Sequence, residues 1–226
     1  MTPRLSIIIP TLNEAATIRT TLEALQILRN LGVEVIVADG GSTDATPELA
    51  APLADRVLSA PLGRARQMNA GAMAAKGEIL LFLHADTRLP ERADTLVLEG
   101  LAASGRLWGR FDVRITGRPS MLRVVAFFMN RRSRWSYIAT GDQAMFVRRE
   151  TFQVFGGFPD QPLMEDIELS KRLCRLGPPL CLRERVITSG RRWEMRGVWR
   201  TIWLMWRLRW LYWWGMSAEQ LAEKYR

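Results

Sequence analysis

The chain has 226 residues, 48% of them hydrophobic and 24% charged, which is enough for one domain with a sizeable core and excludes a disordered chain. A formal net charge of +9, mostly arginine in the second half, leaves phosphorylated substrates, nucleic acid and anionic membranes open as partners. Cys174 and Cys181 lack zinc-ligand or CxxC spacing, and the opening MTPRLSIIIPTLNE lacks a signal-peptide core, so reduced thiols and a cytoplasmic protein are expected.

Residues 5–9 are a β-branched apolar run closed by Pro10, which predicts a strand entering a loop. The spacing of Ile18, Leu22, Leu25 and Leu28 predicts an amphipathic helix. Residues 33–38 predict a second buried strand, ending in DGGSTD, where Thr43 or Asp44 can cap the next helix. A third strand is expected at residues 56–58. Gly63 and Arg64 open a helix with Ala65, Met68, Ala72 and Ala75 on one face, and Gly77 ends it.

Residues 78–88 read EILLFLHADTR. The five apolar residues 79–83 are too few to cross a membrane and suit a strand buried on both faces. Such a strand delivers His84, Ala85 and Asp86 to the carboxyl edge of its sheet, where open α/β proteins bind ligands. Asp86 is a hard oxygen donor suited to Mg²⁺ or Mn²⁺ bridging phosphates, and equally suited to opening a turn or capping the helix after Pro90. The alternation of strand and helix predicts an α/β fold with a parallel, doubly wound sheet. No GxGxxG follows the first strand and no GxxxxGK[ST] occurs, which weighs against dinucleotide and P-loop sites.

Further on, a helix is expected over residues 93–103 and a strand over 107–116, with Phe111, Val113 and Ile115 on one side. Residues 121–129 predict a helix, followed by a basic patch of Arg131, Arg132 and Arg134. TGDQ (140–143) precedes a strand at 144–147, GGFP (156–159) a turn, and MEDIE (164–168) a helix through Leu173. Six of nine tryptophans lie at positions 199, 203, 206, 210, 213 and 214, a helical stripe flanked by Arg200, Arg207 and Arg209. The arginines make a membrane span unfavourable and leave a core helix, a dimer interface and an in-plane membrane anchor open. Ser217 and Gln220 have capping-box spacing for a last helix.

SIIIPTLNE (6–14), VADGGSTDAT (37–46), GRARQMNAGAMAAKGEILLFLHADT (63–87), GDQAMFVRR (141–149) and GGFPDQPLMEDIELSKRL (156–173) together resemble the family-two glycosyltransferases with the GT-A fold. LHADT and MEDIELS are similar to a small subgroup sometimes linked to arsenosugar biosynthesis. The resemblance implies a GT-A domain over residues 1–195, with a nucleotide-binding half (1–90), an acceptor half (91–195) and a helical Trp/Arg-rich extension (196–226). It implies a nucleoside-diphosphate sugar as donor, UDP-linked in preference to GDP-linked. Pro10, Thr11, Asn13 and Glu14 would line the nucleotide, Asp39 would reach base or ribose, and Arg64 the diphosphate. Asp86 matches the metal-binding aspartate of the family's DxD, so a divalent ion, Mn²⁺ or Mg²⁺, is implied. His84 departs from that motif's first position. With Ala85 it falls on the donor side, where the imidazole suits a ribose, the metal, or no ligand at all.

Asp166 matches the family's general base, which would take the proton of an attacking acceptor hydroxyl. Its neighbours Glu165 and Glu168 would raise its pKa, although three carboxylates also suit a helix's first turn. Gly141, Asp142 and Glu165 fall on the acceptor side. Arg191, Arg192 and Trp193 resemble a basic-aromatic segment that closes on the diphosphate, and equally read as a surface loop. The resemblance implies inverting transfer by direct displacement and an acceptor that is lipid-linked in many members; the tryptophan stripe with its flanking arginines then favours a peripheral place on the inner face of a membrane. A nucleotidyltransferase would need a glycine-rich, lysine-containing loop that PTLNE does not supply. Asp39, Asp86 and Asp166 together speak against a non-catalytic membrane-binding module. No nucleic-acid partner is expected, and a homodimer is the alternative use of the stripe.

Overall fold

A computed structural model describes residues 3–225. The first half is built as the apolar runs predict. Strand β1 (Leu5–Thr11) is followed by helix α1 (Ile18–Asn30), which buries Ile18, Leu22, Leu25 and Leu28 on one side. Burying each such side chain stabilises by about 1.5–3 kcal/mol. Next come β2 (Glu34–Asp39), the short α2 (Thr46–Ala50), β3 (Arg56–Ser59), α3 (Arg64–Ala74) and β4 (Ile79–Phe82). At the start of α2, Asp44 rather than Thr43 engages the helix, accepting the Thr46 amide at 3.0 Å. All of β4 is buried, as a strand covered on both faces must be.

The second half contains β5 (Thr87–Arg88), α4 (Ala93–Ser104), β6 (Trp108–Thr116), α5 (Met121–Ser136), a 3-10 turn (Gly141–Gln143), β7 (Phe146–Arg148), α6 (Arg149–Val154) and α7 (Glu165–Cys174). It closes with β8 (Leu180–Ser189), α8 (Arg191–Arg196), α9 (Val198–Trp213) and α10 (Ala218–Tyr225). Among the described residues the strands form one eight-stranded sheet in the order β3-β2-β1-β4-β7-β6-β8-β5. Strands β3, β2, β1 and β4 are mutually parallel, and β7 is antiparallel to both β4 and β6. From β1 the chain steps outward to β2 and β3 and then returns to β4 on β1's other side. That reversal opens a crevice at the carboxyl ends of β1 and β4.

Helices α1, α4 and α5 cover one sheet face, and α3, α6 and α7 the other. Helix α3 lies so close to β1 that a Cβ on Gly71 would collide with the Ile8 side chain. The helix expected over 121–129 runs on to Ser136 and takes in the basic patch. Two of its arginines, Arg132 and Arg134, turn inward while Arg131 stays exposed: Arg134 donates to Asp112 at 2.7 Å, and Asp112 also pairs with the fully buried Arg110. Strand β8 was not expected, because in LCLRERVITS three consecutive charges, Arg183 to Arg185, interrupt the apolar residues. Arg191–Trp193 begin helix α8 rather than a loop.

The tryptophans of α9 are not core. Those at 199, 203, 206, 210, 213 and 214 are between 56% and 78% exposed. The opposite side of α9, with Leu204, Leu208 and Leu211, packs with Met164 and Ile167 of the α7 region and with Leu221 of α10. No helix among the described residues is long and apolar enough to cross a membrane.

Candidate active site

Two loops meet at the carboxyl ends of β1 and β2. Thr11 donates to Asp39 at 3.0 Å, and Asp39 also accepts the Gly41 and Ser42 amides at 3.0 and 2.8 Å and the Ser42 hydroxyl at 2.5 Å. Burial pushes the Asp39 carboxyl up, but these hydrogen bonds outweigh it and hold the pKa below the ordinary value. Asn13, in the left-handed region at φ 55°, donates its amide to Ser42 and accepts the Thr43 amide at 2.8 Å. The Glu14 amide donates to Thr46. Beneath the loops, the buried Gln67 donates to the carbonyls of Thr11 and Ala38 at 2.6 and 3.1 Å. Sequence reasoning missed Gln67, whose place inside GRARQMNAG was its only signal. Pro10, Thr11, Asn13, Glu14 and Asp39 are thus brought to one edge.

A second group gathers at the head of α7, where Arg64, His84, Gly141, Glu165 and Asp166 line a common pocket with Met68, Phe82, Met145 and Phe158. Its open space is about 10 Å³, room for roughly one water, so a sugar enters only when side chains move. Asp166 accepts the Gly141 amide at 2.9 Å and the Ile167 amide at 2.7 Å. Burial, then the Glu165 charge, raise its pKa to about 6, opposed by those two amides and by Arg64. Glu165 is buried and meets Arg64 at 3.5 Å. Glu168, expected to act on Asp166, instead faces Tyr212, Lys171 and Arg172.

His84 Nδ1 is 3.4 Å from Asp142, while its Nε2 is buried without a partner against Gly141. The contact orients Asp142. Burial pushes the Asp142 carboxyl up, yet the His84 hydrogen bond and the charges of His84, Arg64 and Arg192 bring it below its usual value. Arg191 reaches Glu14 at 4.0 Å, which brings α8 to the loop after β1. Trp193 is half-buried and packs against the larger core cluster, anchoring α8. Arg132, read from the sequence only as part of a basic patch, has its Nε and Nη2 buried without partners among the described residues, and burial lowers its pKa against the pull of Asp166.

Asp86 and Ala85 leave the strand end on the other side. Asp86 lines a separate cleft of about 340 Å³ with Thr17, Thr21, Arg88 and Thr188, and not the pocket around Asp166. The Ala85 side chain is buried in the core, and its carbonyl accepts the Thr21 hydroxyl at 2.6 Å. Among the described residues no cluster of three or more His, Cys, Asp or Glu could hold a metal alone. The half-buried Asp86 carboxylate takes one long hydrogen bond, from Thr87 at 3.4 Å. Its spare lone pairs suit an ion that draws its other ligands from phosphate and water.

A mostly parallel sheet with an acidic, arginine-lined carboxyl edge is the architecture of the GT-A glycosyltransferases. The sequence matches Glycosyl transferase family 2 over residues 6–157, and the chain belongs to that family. It is 27% identical to the probable glycosyltransferase YdaM of Bacillus subtilis (strain 168), over 92% of this chain and 54% of that protein. The chain therefore spans about half the length of that relative. Its fold resembles S. aureus TarS 1-349 in complex with UDP-GlcNAc (TM-score 0.65, 17% identity, 82% of this chain and 58% of that one). It also resembles the mannosyltransferase PcManGT of Pyrobaculum calidifontis in complex with GDP-Man and Mn²⁺ (TM-score 0.61, 22% identity, 92% of this chain and 61% of that one).

Proposed function

We propose that this chain is an inverting glycosyltransferase that moves a sugar from a nucleoside diphosphate to an acceptor hydroxyl by direct displacement. The observation that carries the reading is the half-buried Asp166 carboxylate at the carboxyl edge, oriented by the Gly141 amide at 2.9 Å, with desolvation and the Glu165 charge raising its pKa to about 6. A base of that strength is ionised at neutral pH and still takes a proton from an attacking hydroxyl as the bond to the anomeric carbon forms. A single base with in-line attack gives inversion.

The donor lies along the Thr11–Asp39 edge, with Asn13 and Glu14 at the nucleotide and Arg64 toward the diphosphate. Arg191 and Arg192 approach from α8, Arg191 reaching Glu14 at 4.0 Å and the charge of Arg192 acting on Asp142. Asp142, held by His84, and Gly141 line the acceptor side. Asp86 is the residue that would hold Mn²⁺ or Mg²⁺, and such an ion neutralises the departing diphosphate. A UDP-sugar is favoured over a GDP-sugar, since both nucleotides occur in structures of similar fold and the resemblance leans to UDP. A lipid-linked acceptor and the arsenosugar connection rest on the resemblance alone.

The test is a thermal-shift screen of UDP- and GDP-sugars with and without Mn²⁺. A donor bound at a hundred times its dissociation constant stabilises by about 2.7 kcal/mol. The reading predicts Mn²⁺-dependent stabilisation by one donor class. No shift from any nucleotide sugar, with or without metal, contradicts it.

A further inference from the structure

The α9 surface stands apart from the transfer chemistry. At about 100° per residue the six tryptophans occupy an arc of roughly 100°. Thr201, Leu204, Leu208 and Leu211, which pack on the protein, lie on the opposite side. At the observed exposures the indoles present on the order of 800 Å² of aromatic surface, above the roughly 300–600 Å² of the largest apolar patch on a typical monomer. Arg200 and Arg207 border one edge of the arc and Arg209 the other, and Arg207 stacks over Trp203 at 5.1 Å. Helix α5 adds Val124, Phe127, Phe128 and Trp135, all exposed, with Arg131 over Trp135 at 5.6 Å. The segments flanking α5 reach the neighbouring helices: the Arg118 amide before it donates to Glu194 of α8, and Ile138 after it joins the cluster on the inner side of α9.

Charge selects the occupant. Helices α5, α8 and α9 hold four, three and three arginines against one carboxylate, Glu194. A second copy related by a two-fold axis would set this excess against itself. Nucleic-acid stacking surfaces interleave base and aromatic along a groove, whereas here arginines border a continuous aromatic arc on both sides. An apolar stripe with cationic margins matches a boundary between hydrocarbon and anionic headgroups. We propose that α9 lies in the interfacial plane of an anionic bilayer, its tryptophans in the headgroup layer and its arginines on lipid phosphates, with the exposed face of α5 beside it. Met164 and Ile167, which flank Asp166, pack on the inner side of α9, so docking would seat the head of α7 one helix away from the lipid.

The inference is independent of the transfer reading, and its test reads partition rather than turnover. The full chain is sedimented with vesicles of phosphatidylcholine alone or mixed equally with phosphatidylglycerol, at about 0.1 M salt. The wild type and Asp166→Asn should both sediment with the anionic vesicles, with blue-shifted tryptophan emission. Trp203→Ser, Trp206→Ser and Trp210→Ser together, all at solvent-facing positions, should lower partition at least tenfold. Arg200→Gln, Arg207→Gln and Arg209→Gln together should lower it about fivefold per charge on anionic vesicles and leave neutral vesicles unaffected. The proposal is overturned if the wild type stays in solution with both vesicle types, or if the tryptophan variant partitions normally. It is equally overturned by a wild-type dimer that the tryptophan changes dissolve, or by binding to oligo(dT) in place of vesicles.

Discussion

The Asp166 carboxylate and the Gly141 amide are joined at 2.9 Å, which ties the head of α7 to the turn before β7. Gly141 also lies against the His84 ring at the end of β4, so Asp166, the turn before β7 and the end of β4 share one geometry. A Cβ at Gly141 would collide with that ring. Gly141→Ala should therefore lower turnover at least tenfold while Tm moves by only a few degrees, and His84→Ala in the same chain should recover part of it. Full activity of the single variant would show that the contact is not needed.

For Asp86→Asn, the account expects loss of the Mn²⁺-dependent stabilisation by UDP or GDP, with the metal-free melting temperature unchanged. Differential scanning fluorimetry with Mn²⁺ or EDTA reads this directly. Undiminished wild-type transfer in EDTA would remove the ion from the account.

Two neighbours push the Asp166 pKa in opposite directions. Glu165→Gln removes a negative charge and should move the acid limb of the pH–rate profile to lower pH. Arg64→Gln removes a positive charge and should move it higher. Movement of both limbs in the same direction would mean that another group titrates.

Stability carries its own signature. The folded pKa of Asp166, about 6, lies above the ordinary carboxylate value near 3.9, so the folded state holds this proton more tightly than the unfolded one. Its contribution to stability is full below about pH 4 and is lost as pH rises through 6. The Tm difference between wild type and Asp166→Asn should therefore fall across that window. Asp39, with its lowered pKa, contributes with the opposite sign, stabilising above the carboxylate range and losing that contribution on acidification.

Strands β1, β2 and β4 were legible because each is an apolar run buried on both faces, and Ile79–Phe82 is the clearest case, whereas β3 is a short, partly exposed edge strand. Strand β8 was not, since its register beside β6 exposes Arg183, Glu184 and Arg185 and leaves no apolar period to read. The residue types of the site were legible at the strand ends, but their grouping was not. His84 and Asp86 are two apart yet line different clefts, and Glu168 turns from Asp166 toward Tyr212. Arg132 and Gln67 act through burial and long-range contacts, with partners up to 56 residues away in the case of Gln67. Sequence spacing carries no trace of either.

The most direct test of the central claim is the pH dependence of nucleotide-sugar turnover, measured as nucleoside diphosphate release, for wild type and Asp166→Asn. The account predicts a wild-type rate that climbs with pH and levels off above about 6. For the variant it predicts intact donor binding, no acid limb and a rate lower by about two to four orders of magnitude. A variant that keeps the wild-type rate, or the same limb near pH 6, would contradict Asp166 as the base.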